Sequence, residues 1–457
     1  MSMGICNGIN TTENRFRPIH YLGSKLRILD FIEKAIDDVT SCPNRVCDLF
    51  SGSGTVSRHL GFKRPVTAVD IQEYSRVLCS AVLKTPILNV SGDEFTKRVE
   101  TSETYKTMIE VFSPILEYEA SATESAKSGK IDQLYRVIEE GSLFVAVENP
   151  KTGSPLSIAL KKTLANLNES NLSTSKKTMV TKYYGGLYFS YKQAVWIDAT
   201  LECIFSGTSN ESPLRDALLA ATIGAISDIV NTVGKQYAQP MRVYNSDGSH
   251  KKNLLRKILA DRSLSFKSSL ITWMDAYIKL LPTPFGNHEV LRMDYCDALK
   301  SLHNKDVSVV YADPPYTRYH YSRYYHVLET ICLRDMPRIS TTFPNDKQLS
   351  RALYRVDRHQ SPFCIKSRAG EAFKALFAGV SELNVPLVLS YSPFAEKSNS
   401  TPRMQTINQL VELAKKHYCT VDVLSSGYFM HSKLNSTDRN FQALNEAEML
   451  IICQNVK

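Results

Sequence analysis

The chain has 457 residues, 43% hydrophobic and 22% charged, with 55 Lys and Arg against 46 Asp and Glu for a formal net charge of +9. A length well beyond the roughly 100–200 residues of one domain predicts two or three modules. The balanced composition excludes a wholly disordered chain, a fibrous protein and a small disulfide scaffold. No apolar run approaches the roughly 20 residues of a membrane span, and the polar N-terminus lacks an apolar signal core. A cytoplasmic protein without a membrane partner is therefore expected. Ten cysteines are scattered from Cys6 to Cys453 with no Cys-x-x-Cys pair, and the ten histidines are dispersed. These spacings predict no metal site and no redox motif.

In chain order, apolar residues at Leu26, Ile28, Leu29, Phe31, Ile32, Ala35 and Ile36 predict an amphipathic helix over 26–40. Next comes a short apolar strand, Arg45-Val46-Cys47-Asp48-Leu49-Phe50, which runs into the turn Ser51-Gly52-Ser53-Gly54. A helical stretch from Thr55 leads to a second strand, Val66-Thr67-Ala68-Val69, ending at Asp70. Together they read as a βαβ unit. Residues 95–145 are charged and helical in pattern. Residues 150–180 are rich in Ser, Thr, Lys and Asn and read as a loop or weakly ordered arm. Residues 192–204 and 213–234 read as helices.

The strand pattern resumes at Val307-Ser308-Val309-Val310-Tyr311-Ala312, which must stop at Pro314 and Pro315 because neither can donate a ladder hydrogen bond. Further strands are expected at 385–391, 420–424 and 448–453, with helices at 370–383 and 406–417. Continuous apolar strands alternating with helices predict an α/β sheet buried on both faces. The simplest organisation is a core in two blocks, 15–95 and 286–457, interrupted by a mainly helical insertion at 96–285.

Two stretches are strongly basic. Residues 235–270 hold eight Lys or Arg against two Asp, with Tyr237, Tyr244 and Phe266 among them; residues 351–368 hold Arg351, Arg355, Arg358, Lys366 and Arg368 against Asp357. Each reads either as a solvated helix face or as a surface for nucleic-acid phosphates. The aromatic run Tyr183-Tyr184-Gly185-Gly186-Leu187-Tyr188-Phe189-Ser190 suits a loop near a ligand or a hairpin packed on the core.

The chemistry-bearing signals lie at strand ends. Gly52 and Gly54 would let backbone approach a ligand closely, and the crevice at the carboxyl ends of parallel strands is where such folds bind ligands. Asp70, 22 residues after Asp48, suits a ribose diol because a carboxylate accepts two hydroxyl hydrogen bonds. Ser57 stands where a dinucleotide-binding fingerprint needs a third Gly, which disfavours a nicotinamide cofactor. Asp313-Pro314-Pro315-Tyr316 suits methyl transfer to an exocyclic amine. A carboxylate oxygen of Asp313 and the carbonyl of Pro314 can each accept one amine N–H. That steers the nitrogen lone pair toward tetrahedral geometry and stabilises the charge that develops there. Tyr316 offers a face for a stacked base.

With these motifs the chain resembles an N6-adenine-specific DNA methyltransferase of the alpha group, the D12 type, similar to bacterial DNA adenine methylases of restriction-modification systems. Tyr21-Leu22-Gly23-Ser24-Lys25 resembles the family's aromatic-x-Gly-x-Lys element, Asp48 through Gly54 its cofactor loop, and Asp313 through Tyr316 its catalytic tetrapeptide. The resemblance covers about 200 residues of core in two blocks. It implies a doubly wound, mostly parallel Rossmann-like methyltransferase sheet and S-adenosyl-L-methionine as cofactor. Tyr21 and Lys25 would lie beside the methionine part, with Asp48, Gly52 and Gly54 in the loop and Asp70 on the ribose. Asp297 would meet the cofactor adenine, with Asp294 a close competitor, and Asp313 would touch both cofactor and target. Asp313, Pro314 and Tyr316 form the catalytic set.

The resemblance further implies double-stranded DNA as substrate, a flipped adenine, direct in-line transfer, target recognition by the insertion, and a cognate restriction endonuclease as partner. Residues 317–326 are richer in aromatic and basic residues than the commonest members, and read as a clamp on the flipped base or as an amphipathic helix. The alternative functions are methyl transfer to cytosine N4 or an RNA base, and a catalytically silent DNA-binding scaffold.

Overall fold

The computed structural model describes residues 16–19, 21, 23–86, 88–148, 152–210, 212–303, 305–342, 348–392, 403–425 and 448–457. The chain forms two compact units, one of Met1–Pro86, Leu280–Tyr324 and His359–Lys457, the other of Ile87–Lys279 and Tyr325–Arg358.

The first unit is built on a seven-stranded sheet of β1 (Arg45–Asp48), β2 (Val66–Asp70), β3 (Glu289–Arg292), β4 (Val307–Ala312), β5 (Leu387–Tyr391), β6 (Tyr418–Ser425) and β7 (Met449–Val456), in the order β3-β2-β1-β4-β5-β7-β6. Five strands run parallel; β7 lies antiparallel to both β5 and β6. Val46, Cys47, Val309, Val310 and every residue of β5 are buried, as expected where helices cover both faces. The helices include Leu29–Asp37, Thr55–Gly61, Glu73–Leu83, Tyr295–Leu302 and Lys366–Glu382. One core cluster joins Cys47, Leu49 and Val310 to Phe373, Leu376 and Phe377.

Two expectations change here. β3 was not foreseen, because it is a four-residue edge strand of Glu-Val-Leu-Arg with no fully buried residue, so it carries no apolar run. Residues 150–180, read as a loop or arm, contain the helix Pro155–Glu169. It opens on a reciprocal capping box between Ser154 and Ser157 with Pro at its first position, and buries Leu156, Leu160 and Leu167. Caps of this kind stabilise a helix start whatever the polarity of the exposed face.

The second unit is mainly helical. The helix Pro213–Ile229 is buried along most of its length, and Tyr191–Gly207 is buried over most of Tyr191–Leu201. Tyr184, Tyr188 and Phe189 are fully buried. The Tyr188 hydroxyl donates to Tyr237 O at 2.7 Å, and Gly186 turns at φ +77°. Of the two readings of this aromatic run, the structure gives the packed one.

Tyr325–Arg358 lies inside the block read as 286–457, yet it packs with this unit. Tyr325 and His326 are buried, Arg351 pairs with Glu139, and Arg355 grips Asp335 with two hydrogen bonds at 2.6 and 2.7 Å. Half of the basic residues in 235–270 are likewise paired with acids of the chain. Lys235 and Lys257 pair with Asp261, Arg262 with Glu119, and Lys267 with Glu100. Arg242, Lys252 and Arg256 are exposed. Among the described residues, no helix is long and apolar enough to cross a membrane.

Candidate active site

The strand order reverses between β1 and β4: the chain fills one side of the sheet through β2 and β3, then returns to start the other side. Such a reversal opens a crevice at the carboxyl ends of the two central strands. Asp48 sits opposite Tyr311 in the parallel pairing, and Leu49 N–H donates to Tyr311 O at 2.9 Å. The Gly-containing turn and the Asp-Pro-Pro-Tyr corner therefore leave the sheet side by side, although some 260 residues separate them in sequence.

The turn is fixed by its backbone. Gly52 and Gly54 have φ of +54° and +76°, the left-handed region that glycine enters without a Cβ penalty. A Cβ on Gly52 would lie 3.0 Å from the Tyr21 hydroxyl, and one on Gly54 3.2 Å from Cys79 Cα. Gly52 N–H donates to Asp70 Oδ2 at 3.0 Å, and Gln72 N–H to Asp70 Oδ1 at 2.9 Å. Burial holds the Asp70 carboxyl above the usual carboxylate range, and these two N–H donors oppose that rise. Asp48 accepts the Ser57 hydroxyl at 2.5 Å. Burial pushes Asp48 up to about 7 against that hydrogen bond, helped by the charges of Asp313 and Asp70.

A pocket at this edge is lined by Tyr21, Phe50, Asp70, Asp294, Tyr295, Asp313, Pro315, His320, Tyr321, His359 and Phe363, among others. Its wall is aromatic. Tyr21 stacks on Tyr321 at 5.4 Å, and Phe50 meets Tyr295 and Phe363 at 5.7 and 5.5 Å. Asp70 and Asp294 face His359, whose burial lowers its basicity while the two acids oppose that fall.

On the β4 side, Lys25 Nζ lies 2.9 Å from Asp313 Oδ2 and 3.2 Å from Glu448 Oε1, and Ser390 Oγ donates to the same Glu448 oxygen at 2.8 Å. Burial would lower the Lys25 pKa, but the two carboxylates overcome it and hold the ammonium well above its usual value. Asp313 is raised to about 6 by burial and Glu448, with Lys25 pulling the other way. Pro314 is buried. Tyr316 lies 4.8 Å from the Tyr391 ring, with the Arg403 guanidinium 4.7 Å and the Lys25 ammonium 5.8 Å from its ring centre.

Of the residues singled out in the sequence, Tyr21, Lys25, Asp48, Gly52, Gly54, Asp70, Asp313, Pro314 and Tyr316 converge on this edge. Asp297 does not: its side chain is 71% exposed and pairs with Lys300 at 3.5 Å. The reason is local. Asp294 caps the helix Tyr295–Leu302, accepting Cys296 N–H at 2.9 Å. That places Asp294 at the pocket and turns Asp297, one helical turn on, toward solvent.

Residues 317–326 divide. Arg318, Tyr319, Tyr321 and Tyr324 stay in the first unit, with Arg318 over the Tyr319 ring; Tyr325 and His326 belong to the second. Ser390, Glu448, His359 and Arg403 were not foreseen. Ser390 and Glu448 lie in or beside apolar strands, His359 in a basic stretch and Arg403 in a polar one, and only tertiary structure gives each its partner.

Residues 21–194 match the family model of the D12 class N6 adenine-specific DNA methyltransferase. That range holds the Tyr21–Lys25 element, the Gly-containing turn and Asp70, while Asp313 through Tyr316 lie beyond it. The chain is also similar to Modification methylase LlaI of Lactococcus lactis subsp. lactis, at 30% identity over 131 residues. That match covers 28% of this chain and 18% of the relative, so the aligned region is under a fifth of the relative's length. The seven-stranded, mostly parallel sheet is a Rossmann-like methyltransferase fold. Over residues 21–194, the family whose model this chain matches is that of the D12 class N6 adenine-specific DNA methyltransferases.

Proposed function

We propose that the protein methylates the exocyclic N6 amine of adenine in DNA, with S-adenosyl-L-methionine as methyl donor. The observation that carries this reading is the Leu49–Tyr311 hydrogen bond, which brings the Leu49-Phe50 strand end, just before the Gly-containing turn, and the Asp313 corner to one pocket. The residues fit the cofactor by their chemistry. Asp70 is an acid at the pocket with two oxygens for a diol, Phe50, Tyr295 and Phe363 form an aromatic wall for a purine, and Asp294 rather than Asp297 stands beside them. The bound cofactor would supply an electrophilic methyl carried on a sulfonium.

Lys25 engages Asp313 Oδ2, which leaves Oδ1 to accept one N–H of the target amine while the Pro314 carbonyl accepts the other. Held by Asp313 and the Pro314 carbonyl, the amine nitrogen would take up the methyl group that the bound cofactor supplies. The nitrogen then sheds one proton to solvent. Preorganised acceptors aimed at the nitrogen stabilise positive charge as it develops there. A duplex adenine must first be flipped out, at a cost of a few kcal/mol, with Tyr316 as its stacking surface.

We assign target recognition to the insertion at 96–285, where exposed Arg242, Lys252 and Arg256 suit DNA phosphates. A cognate restriction endonuclease fits the likeness to a modification methylase. The test is transfer of a tritiated methyl group to duplex DNA, with nucleoside analysis and an Asp313→Ala control. N6-methyladenine made by wild type alone is the expected result. N4-methylcytosine, RNA-only transfer or no incorporation would refute the reading.

A further inference from the structure

We infer that Glu448 is a positioning residue for this methyl transfer: it holds the Lys25 ammonium in place, so that Lys25 engages one oxygen of Asp313 and leaves the other for the target amine. The inference rests on the function proposed above.

The topology brings Glu448 to the site. Because β7 runs against its neighbours, the start of that strand lies at the edge where the parallel strands end; Met449 pairs with Tyr391, the last residue of β5. Glu448 immediately precedes it and is 4% exposed. Ser390 Oγ and Lys25 Nζ converge on its Oε1 at 2.8 and 3.2 Å.

The charge count calls for an explanation. One ammonium serves two carboxylates in a region where Lys25 and Glu448 are almost fully buried. Burying charge is unfavourable unless it is paired, and Lys25 with Asp313 alone would make a neutral pair. A lysine, however, is a point charge on a flexible four-carbon stem. A second fixed acceptor, itself pinned by Ser390, removes that freedom. Placement to within about 1 Å is worth as much as 10²-fold in rate for a reacting group.

The titratable groups facing Asp313 are Lys25, Glu448, Asp48 and Tyr311 beside it, and Tyr316 in its own corner. Arg403 lies over the Tyr316 ring. Removing the negative charge of Glu448 lets Asp313 lose its proton at lower pH, whereas removing Lys25 has the opposite effect.

The experiment compares wild type, Glu448→Gln, Lys25→Met and the double variant for methyl transfer to adenine across pH, with melting and S-adenosylmethionine binding measured alongside. For Glu448→Gln we expect kcat to fall about tenfold to a hundredfold, little change in cofactor affinity, and an acid limb displaced to lower pH. For Lys25→Met the acid limb moves to higher pH. The double variant is no slower than Lys25→Met, because Glu448 acts through Lys25. If Glu448→Gln does not fold, Ser390→Ala, which loosens the same carboxylate, takes its place and must lower kcat in the same direction.

Losses that multiply in the double variant, or an unmoved acid limb in Glu448→Gln, would overturn the inference. An inactive wild type would instead defeat the functional reading beneath it.

Discussion

The acids in and beside the pocket separate sharply when each is neutralised. Asp70 spends both oxygens on backbone donors, Gly52 N–H at 3.0 Å and Gln72 N–H at 2.9 Å. In Asp70→Asn one of those oxygens becomes an NH₂ that faces an N–H. One charge-assisted hydrogen bond is lost, about 1.5–3 kcal/mol, and the turn that shapes the pocket must shift. The remaining lone pairs that would meet ribose hydroxyls are lost or misdirected with it. Loss of one charge-assisted hydrogen bond to a ribose hydroxyl should lower cofactor affinity by about 1.5–3 kcal/mol, roughly 10- to 150-fold. Asp297→Asn removes only an exposed pair with Lys300, an interaction of about 0.3–0.5 kcal/mol, and should leave affinity unchanged. Asp294→Asn should weaken binding, because Asp294 lines the pocket. Calorimetric titration of the three variants with S-adenosylmethionine, each checked for an intact melting transition, reads the order directly. Full affinity in Asp70→Asn, or a loss in Asp297→Asn but not in Asp294→Asn, would refute the placement of the cofactor along this pocket.

Further predictions follow from other parts of the structure. Asp48 holds its proton up to about 7 in the folded chain, against about 4 unfolded, so its contribution to stability is lost as pH rises from 4 through 7; Asp48→Asn should gain melting temperature relative to wild type between pH 5 and pH 8, and a pH-independent difference would refute the assignment. Gly224→Ala would normally strengthen a helix by about 1 kcal/mol, but its Cβ would sit 2.4 Å from Trp273 Cδ2. The indole is tied to Asp228 by a 2.7 Å bond, so overpacking of about 1–3 kcal/mol should lower the melting temperature instead. Replacing exposed Arg242, Lys252 and Arg256 by Ala should flatten the plot of log binding constant against log salt by about 2–3 units, as read in duplex titrations; an unchanged slope would remove them from the DNA surface.

What could be read in the sequence follows burial. β1, β2, β4 and β5 are largely buried, and a strand enclosed on both faces is mostly apolar, so each shows as a run. β3 touches the core with half-exposed side chains and shows nothing. The helix Pro155–Glu169 hides because only one face is buried and its polar face dominates the composition. The Gly-containing turn and the Asp-Pro-Pro-Tyr corner were legible because each combines unusual residue types with a strand just before it. The choice between Asp294 and Asp297 was not, since both are acids within one turn and only the capping hydrogen bond of Asp294 decides which faces inward. Glu448 was invisible for a different reason: a strand direction, which no local pattern encodes, is what carries it to Lys25.

The reversed strand also governs when the molecule can become competent. Among the described residues β6 has β7 as its only ladder partner, and β7 follows the other described strands of the sheet in the chain. While a nascent chain is still emerging, the turn at Gly52 and the corner at Asp313 can already be neighbours, yet the outer edge beyond β5 stays open and Lys25 has no second anchor. The final strand works as a keystone, so a ribosome-bound precursor would hold the Asp313 corner without the brace that steadies it.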